Sequence, residues 1–217
     1  VTFSMSGGEI TGLLGPNGAG KTTSFYMIVG FIKANGGKIL LNGEEITHLA
    51  MHERSKRGLA YLPQEASIFR KLTVEDNIKL ILEEQKISRD ERERRLEELL
   101  VRFGIDRVRR QYGYTLSGGE RRRTEIARAL ATSPKFLLLD EPFAGIDPKA
   151  VFEIKEIIRQ LASDGIGILL TDHNVRDTLE ITHSAHIISD GSIIVSGTRE
   201  ELIENEMARE SYFGSSF

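Results

Sequence analysis

Cysteine and tryptophan are absent from the 217 residues, and proline occurs only five times. Without cysteine there is neither a disulfide framework nor a thiolate metal site. That absence suits a reducing compartment such as the cytoplasm. No apolar run approaches the roughly 20 residues that a membrane-crossing helix needs. Phe136-Leu137-Leu138-Leu139 ends at Asp140, and the run from Ile166 to Leu170 is interrupted by Gly167. Residues Val1 to Ser6 have neither a basic end nor an apolar centre, so no signal peptide is expected. The chain also does not begin with Met, and an N-terminal truncation is expected. A large charge of one sign is lacking too: 29 Lys and Arg against 32 Asp and Glu leave a net −3. That balance argues against a nucleic-acid partner. The length suits one α/β domain with an added lobe, or two small domains.

What is present begins with Gly15-Pro16-Asn17-Gly18-Ala19-Gly20-Lys21-Thr22, followed by Thr23. This stretch fits GxxxxGK[ST], the phosphate-binding loop, at every position. The run Ile10 to Leu14 before it reads as a buried strand, and Thr22 to Val29 after it reads as a helix. In that order, glycines let the backbone turn several N–H groups toward one anion, and the helix dipole adds positive potential. Lys21 would reach the β- and γ-phosphates and the Thr22 hydroxyl would hold Mg²⁺. The expected ligands are therefore a nucleoside triphosphate, ATP in the family reading below, and Mg²⁺.

Elsewhere the pattern alternates between strand and helix. Val1 to Met5 reads as a strand, and Lys38-Ile39-Leu40-Leu41 with Asn42-Gly43 reads as a strand entering a tight hairpin. Leu59 to Leu62 is a further short strand. From Thr73 to about Gln111 the spacing becomes helical, with Ile78, Ile81 and Leu82, then Leu96, Leu99, Leu100 and Phe103. The frame resumes with a helix over Glu120 to Ala131, a strand at Phe136 to Leu139, a helix at Val151 to Ala162 and a strand at Ile166 to Thr171. A strand at Ala185 to Ser189, an Asp190-Gly191 turn, a strand at Ile193 to Ser196 and two short helices close the chain. Such alternation implies a parallel sheet.

Two further stretches carry chemistry. Phe136 to Leu139 runs into Asp140-Glu141, and strand C-termini face the nucleotide in folds of this kind. Asp140 would hold Mg²⁺ and Glu141 would orient or deprotonate the attacking water. Leu116-Ser117-Gly118-Gly119-Glu120 reads either as a helix-capping turn or as a second anion site built from the Ser117 hydroxyl and the N–H groups of Gly118 and Gly119. One nucleotide does not need two cradles in one chain; two chains placed head to tail do.

The phosphate loop, Gln64, the Leu116–Glu120 signature, Asp140-Glu141, Gly145-Ile146-Asp147 and His173 stand in the order of the ATP-binding-cassette (ABC) ATPases. The resemblance covers nearly the whole chain. It implies an α/β P-loop NTPase with a RecA-like parallel-sheet core, a small antiparallel β subdomain and a helical subdomain inserted at about residues 66–115. All of this would lie in one domain over residues 1–217. It further implies a homodimer sandwiching two ATP molecules. Lys21, Gln64, Asp140, Glu141 and His173 of one chain would face Ser117 and Gly119 of the other, with Gln64 touching Mg²⁺ and the water, His173 contacting the γ-phosphate, and Asp147 at the dimer seam. Family members carry an adenine-stacking aromatic on an upstream strand, so no residue here is assigned to the base.

The branch is narrowed by spacing. Only 96 residues separate Lys21 from Ser117, too few for a long inserted coiled coil. A single phosphate loop points to a stand-alone motor whose membrane subunits are separate chains. The wording Tyr61 to Leu72, Gly118 to Arg123, Asp140 to Pro148 and Thr171 to Arg176 resembles the lipopolysaccharide-export ATPases. This resemblance implies a protein at the cytoplasmic face of the inner membrane, peripheral through integral membrane partners docked near Phe69 and Leu72. Tyr212, Phe213 and Phe217 resemble the aromatic tail of that group, near the dimer contact. Branched-chain amino-acid importer ATPases share much of the wording, and a soluble ATP-switched regulator would carry the same site; both readings stay open at this point.

Overall fold

The structure is a computed structural model that describes residues 1–209. In chain order it contains β1 (Ile10–Leu14), α1 (Lys21–Val29), β2 (Leu40–Leu41), β3 (Glu44–Glu45), α2 (Met51–Lys56) and β4 (Leu59–Leu62). Next come α3 (Val74–Glu83), α4 (Arg89–Arg102), α5 (Gly118–Leu130), β5 (Phe136–Asp140) and α6 (Pro148–Ser163). The chain then runs through β6 (Gly167–Thr171), α7 (Val175–Ile181), β7 (Ser184–Ser189), β8 (Ser192–Gly197), α8 (Arg199–Glu204) and α9 (Glu206–Ala208).

Six strands form one sheet in the order β4-β5-β6-β1-β7-β8, parallel except for the last pair. Parallel strands are covered on both faces and so read as near-continuous apolar runs. Phe136-Leu137-Leu138-Leu139 behaves this way. Leu137 and Leu139 join the core beneath α3 to α6, while Leu138 joins the core beneath α1. The same split puts Ala60, Leu62, Ile168 and Leu170 on one side and Leu59 and Leu169 on the other.

β2 and β3 form a separate antiparallel pair joined by Asn42 and Gly43, at φ 51° and 82°. Left-handed backbone at both central residues is what a two-residue hairpin of matching twist requires. Asp190 and Gly191 repeat the device between β7 and β8, at φ 46° and 73°.

Two expectations need correction, and two helices are not expected at all. Residues Val1 to Met5 form no strand: side-chain packing of Phe3 and Met5 onto the α1 core supplies the alternation, but no ladder reaches their backbone. The strand expected over Lys38–Leu41 contains only Leu40–Leu41. The helices α2 and α7 carry no strong apolar period, and the pattern does not reveal them. Helix α2 is anchored instead by Arg54, whose buried guanidinium donates to the carbonyls of Met27, Ile28, Thr47 and Leu49.

Candidate functional site

Parallel pairing decides where the site lies. Register partners Leu62↔Leu139, Asp140↔Thr171 and Gly12↔Leu170 bring the C-terminal ends of β4, β5, β6 and β1 to one edge of the sheet. The segments leaving those ends carry Gln64, Glu141, His173 and the Gly15 loop. Four chain-distant motifs thus meet at one rim, as strand C-termini do in open α/β sheets.

Gly15 is required by close approach: a Cβ there would stand 2.2 Å from the Ile188 carbonyl oxygen. Gly20 caps α1 in the left-handed region at φ 107° and offers no side-chain acceptor to the helix N-terminus. The first N–H groups of a helix have no intrahelical partner, so this end is free for an anion. The buried Lys21 ammonium donates to the Gly15 and Pro16 carbonyls at 2.7 and 2.9 Å. Burial lowers its pKa, and the nearby charges of Glu141 and Asp140 oppose that shift. Pro16, Asn17 and Gly18 are exposed on the same loop, Thr22 and Thr23 are exposed on the first turn of α1, and Ala19 is buried beneath them.

Asp140 is 3% exposed; its Oδ1 accepts from the Thr171 hydroxyl at 2.8 Å and its Oδ2 from the Tyr61 hydroxyl at 3.3 Å. Glu141 sits at φ 46°, an unfavourable backbone conformation for a non-glycine residue. Such outliers cost about 1–3 kcal/mol and persist only where surroundings enforce them. Here the enforcement is visible. The Glu141 N–H donates to the Thr171 carbonyl at 2.9 Å, and the Phe143 N–H donates to Asp172 at 3.2 Å. The Arg122 guanidinium holds the carbonyls of Asp140, Glu141 and Pro142 from the other side.

The Glu141 Oε1 lies 2.6 Å from His173 Nε2, while the buried Oε2 has no partner. Burial raises the Glu141 pKa, and His173 works against that rise. A carboxyl in a dry setting with one orphaned oxygen is suited to accept a proton from a bound water.

Metal chemistry fits the donors. Among the described residues no three of His, Cys, Asp and Glu cluster as a cage. Mg²⁺ needs none, because it is commonly held by one or two protein oxygens together with phosphate and water. The Asp140 carboxylate and the exposed Thr22 hydroxyl are oxygens of the right kind, and Gln64 is exposed at the same rim.

Lys21, Asp140, Glu141 and His173 are brought together; Ser117, Gly118 and Gly119 are not joined to them. Ser117 caps α5, its hydroxyl and N–H both directed at Glu120 (2.6 and 2.9 Å). That interaction lowers the Glu120 pKa. Gly119 packs against α6, where an added Cβ would stand 2.7 Å from Ala150 Cβ. Asp147 caps α6 by accepting from the Ala150 N–H at 3.0 Å.

Phe69 is exposed, with the Arg128 guanidinium 4.9 Å over its ring, and Leu72 is half-buried. Beside them is a groove of about 440 Å³ whose lining includes Tyr26, Phe31, Met51, Tyr61, Ile81 and Arg128, but neither Phe69 nor Leu72. Tyr212, Phe213 and Phe217 lie outside the described residues. The supporting residues Tyr61, Arg122 and Thr171 fall within the stretches that carry the resemblance but have no role assigned by it, and Glu125 lies outside them. The arginine and glutamate are charged residues of α5, yet both are buried.

The profile of the ABC transporter family matches residues 1–144. The chain belongs to that family and is an ATP-binding cassette ATPase. It is 52% identical over 218 residues to the lipopolysaccharide export system ATP-binding protein LptB of Haemophilus influenzae, spanning 100% of this chain and 90% of the relative. LptB of Escherichia coli K12 is 51% identical with the same coverage. Among solved structures, the ADP conformation of an ABC-transporter cassette superposes with a TM-score of 0.87 at 26% identity, covering 99% of this chain and 91% of the other. A dimeric post-hydrolysis cassette bound to ADP and Pi matches with a TM-score of 0.81 at 25% identity, covering 92% and 89%.

Proposed function

We propose that this chain is the ATP-hydrolysing motor of a lipopolysaccharide exporter. It acts as a homodimer on the cytoplasmic face of the inner membrane, held there by integral membrane subunits that dock at the groove and near Phe69 and Leu72. The full-length likeness to proteins named for lipopolysaccharide export supports the cargo. The observation carrying the chemistry is the buried Glu141 carboxylate, with one oxygen on His173 and the other free, beside Lys21 and Asp140.

In the working site the Gly15–Thr23 loop wraps the phosphates and Lys21 leaves the loop carbonyls for the β- and γ-phosphates. Asp140, Thr22 and Gln64 would hold Mg²⁺, which supplies charge neutralisation at the phosphate oxygens. Glu141 accepts the proton of the attacking water, and His173 steadies Glu141 and reaches the γ-phosphate. Ser117, Gly118 and Gly119 of the second copy close the site over the triphosphate, with the Ser117 hydroxyl exchanging Glu120 for a phosphate oxygen. ATP closes the dimer and hydrolysis reopens it, a ligand-biased two-state switch.

The test is a Glu141→Gln variant purified with its native membrane partners. Expected are ATP binding with turnover reduced by at least about a hundredfold, an ATP-stabilised dimer, and lipopolysaccharide retained in the complex. Near-normal turnover would remove Glu141 from its role. Partners of an amino-acid permease, or no membrane partner at all, would overturn the export assignment.

A further inference from the structure

Tyr61 takes part in two sites at once. Its ring lines the groove, edge-on to Phe31 at 5.8 Å, to Tyr26 at 6.4 Å and to Phe25 at 6.3 Å between centroids. Its hydroxyl donates to Asp140 Oδ2 at 3.3 Å. Phe31 is 54% exposed and Tyr26 37% exposed, whereas Asp140 is 3% exposed. A continuous set of ring contacts therefore runs from the open surface of the groove to the carboxylate expected to hold Mg²⁺.

We infer that Tyr61 is a positioning residue that sets the plane of the Asp140 carboxylate and couples the state of the groove to the affinity for metal-bound nucleotide. This deepens the proposed function and rests on its reading of Asp140. The Thr171 hydroxyl fixes one carboxylate oxygen at 2.8 Å; with that oxygen held, the Tyr61 hydroxyl decides the rotation of the other. A body inserted between Phe31, Tyr26 and Met51 must move the rings it touches, and Tyr61 is the ring in that set that bonds to the metal site. Rigid side chains in edge-to-face contact pass on small displacements because packed interiors leave little slack.

The experiment measures binding of a non-hydrolysed ATP analogue to the full chain, with Mn²⁺ and separately with EDTA, and counts bound Mn²⁺ by electron paramagnetic resonance. Tyr61→Phe keeps the ring and removes the hydroxyl. The Mn²⁺-dependent gain in affinity is expected to fall about tenfold, the loss of one hydrogen bond to a charged acceptor, with affinity in EDTA unchanged. Phe31→Ala, at the exposed end, is expected to reduce the same gain by about two- to tenfold.

An unaltered Mn²⁺-dependent gain in Tyr61→Phe overturns the positioning role. A reduced gain in Tyr61→Phe with none in Phe31→Ala overturns the coupling to the groove. Lys21→Ala separates the levels: if it still binds the analogue normally, the site reading itself fails, whereas loss of binding there leaves Tyr61 as the point under test.

Discussion

Replacing Arg122 by methionine should be among the most damaging single changes available outside the reacting groups. Arg122 is 5% exposed, and its guanidinium bonds to the carbonyls of Pro63, Asp140, Glu141 and Pro142, and to Glu125. Glu125 in turn accepts the N–H groups of Ser67 and Ile68 at 2.8 and 3.1 Å. One side chain on α5 therefore clasps the segment that carries Gln64 and the turn that carries Glu141. Methionine fills similar volume but leaves a buried carboxylate without its cation. Breaking one side of a buried pair costs roughly 3–5 kcal/mol. At about 2–4 °C per kcal/mol for a chain of this length, the melting temperature should drop by roughly 6–20 °C. Turnover should fall as well, because the strained Glu141 backbone loses a main restraint. Thermal unfolding followed by circular dichroism measures the first effect and steady-state phosphate release the second. The control is Arg94→Met, which removes two ion pairs on an exposed face of α4 and should shift the midpoint little. A melting temperature for Arg122→Met as close to the parent as that of Arg94→Met would refute the clasp.

Burial holds the Glu141 pKa above the ordinary carboxyl value, and proton acceptance needs the ionised form. The acidic limb of the kcat profile should therefore lie above that of an ordinary carboxyl, and His173→Ala should move it further up, because His173 pulls that pKa down. A limb that stays put in His173→Ala would deny the coupling. A raised carboxyl pKa also means that the folded state disfavours the charge; Glu141→Gln should therefore melt higher than the parent at neutral pH, with the gain vanishing in acid. Gly119→Ala puts a methyl group 2.7 Å from Ala150 Cβ and should cost about 1–3 kcal/mol of stability, read by denaturant unfolding. Asn77, fully buried, bridges the N–H and carbonyl of Phe69 and the Thr73 carbonyl. Its replacement by alanine should cost about 1–3 kcal/mol, measured the same way.

The legible parts of this molecule are those where chemistry and backbone demand the same residues. The Gly15–Thr22 loop announces itself because a turn approaching Ile188 within 2.2 Å of a would-be Cβ excludes a side chain at Gly15. The run Phe136–Leu139 is legible as a strand because both its faces are covered, and Ser117 marks a helix start by the cap it provides, whereas the start of α6 at Pro148, capped by Asp147, lies ahead of the Val151 expected from the apolar pattern. Arginines whose guanidinium groups bond to main-chain carbonyls on other segments are not legible. Nothing in the apolar pattern marks Arg54 or Arg122 as interior, yet each is buried and bonds to four main-chain carbonyls. Val1 to Met5 misleads for the complementary reason: alternation reports side-chain burial and says nothing about whether a neighbouring strand exists.

The division of each reaction centre between two copies is tested most directly by mixing variants in a Glu141→Gln background and counting ATP that resists washout. One chain carries Lys21→Ala and the other Ser117→Arg, so that each pure dimer has two broken sites. In a mixed dimer the intact Lys21 of the second chain meets the intact Ser117 of the first, and one ATP should be retained per mixed pair, with none in either pure dimer. Retention by pure Ser117→Arg, or no retention in the mixture, would contradict a site shared across the interface.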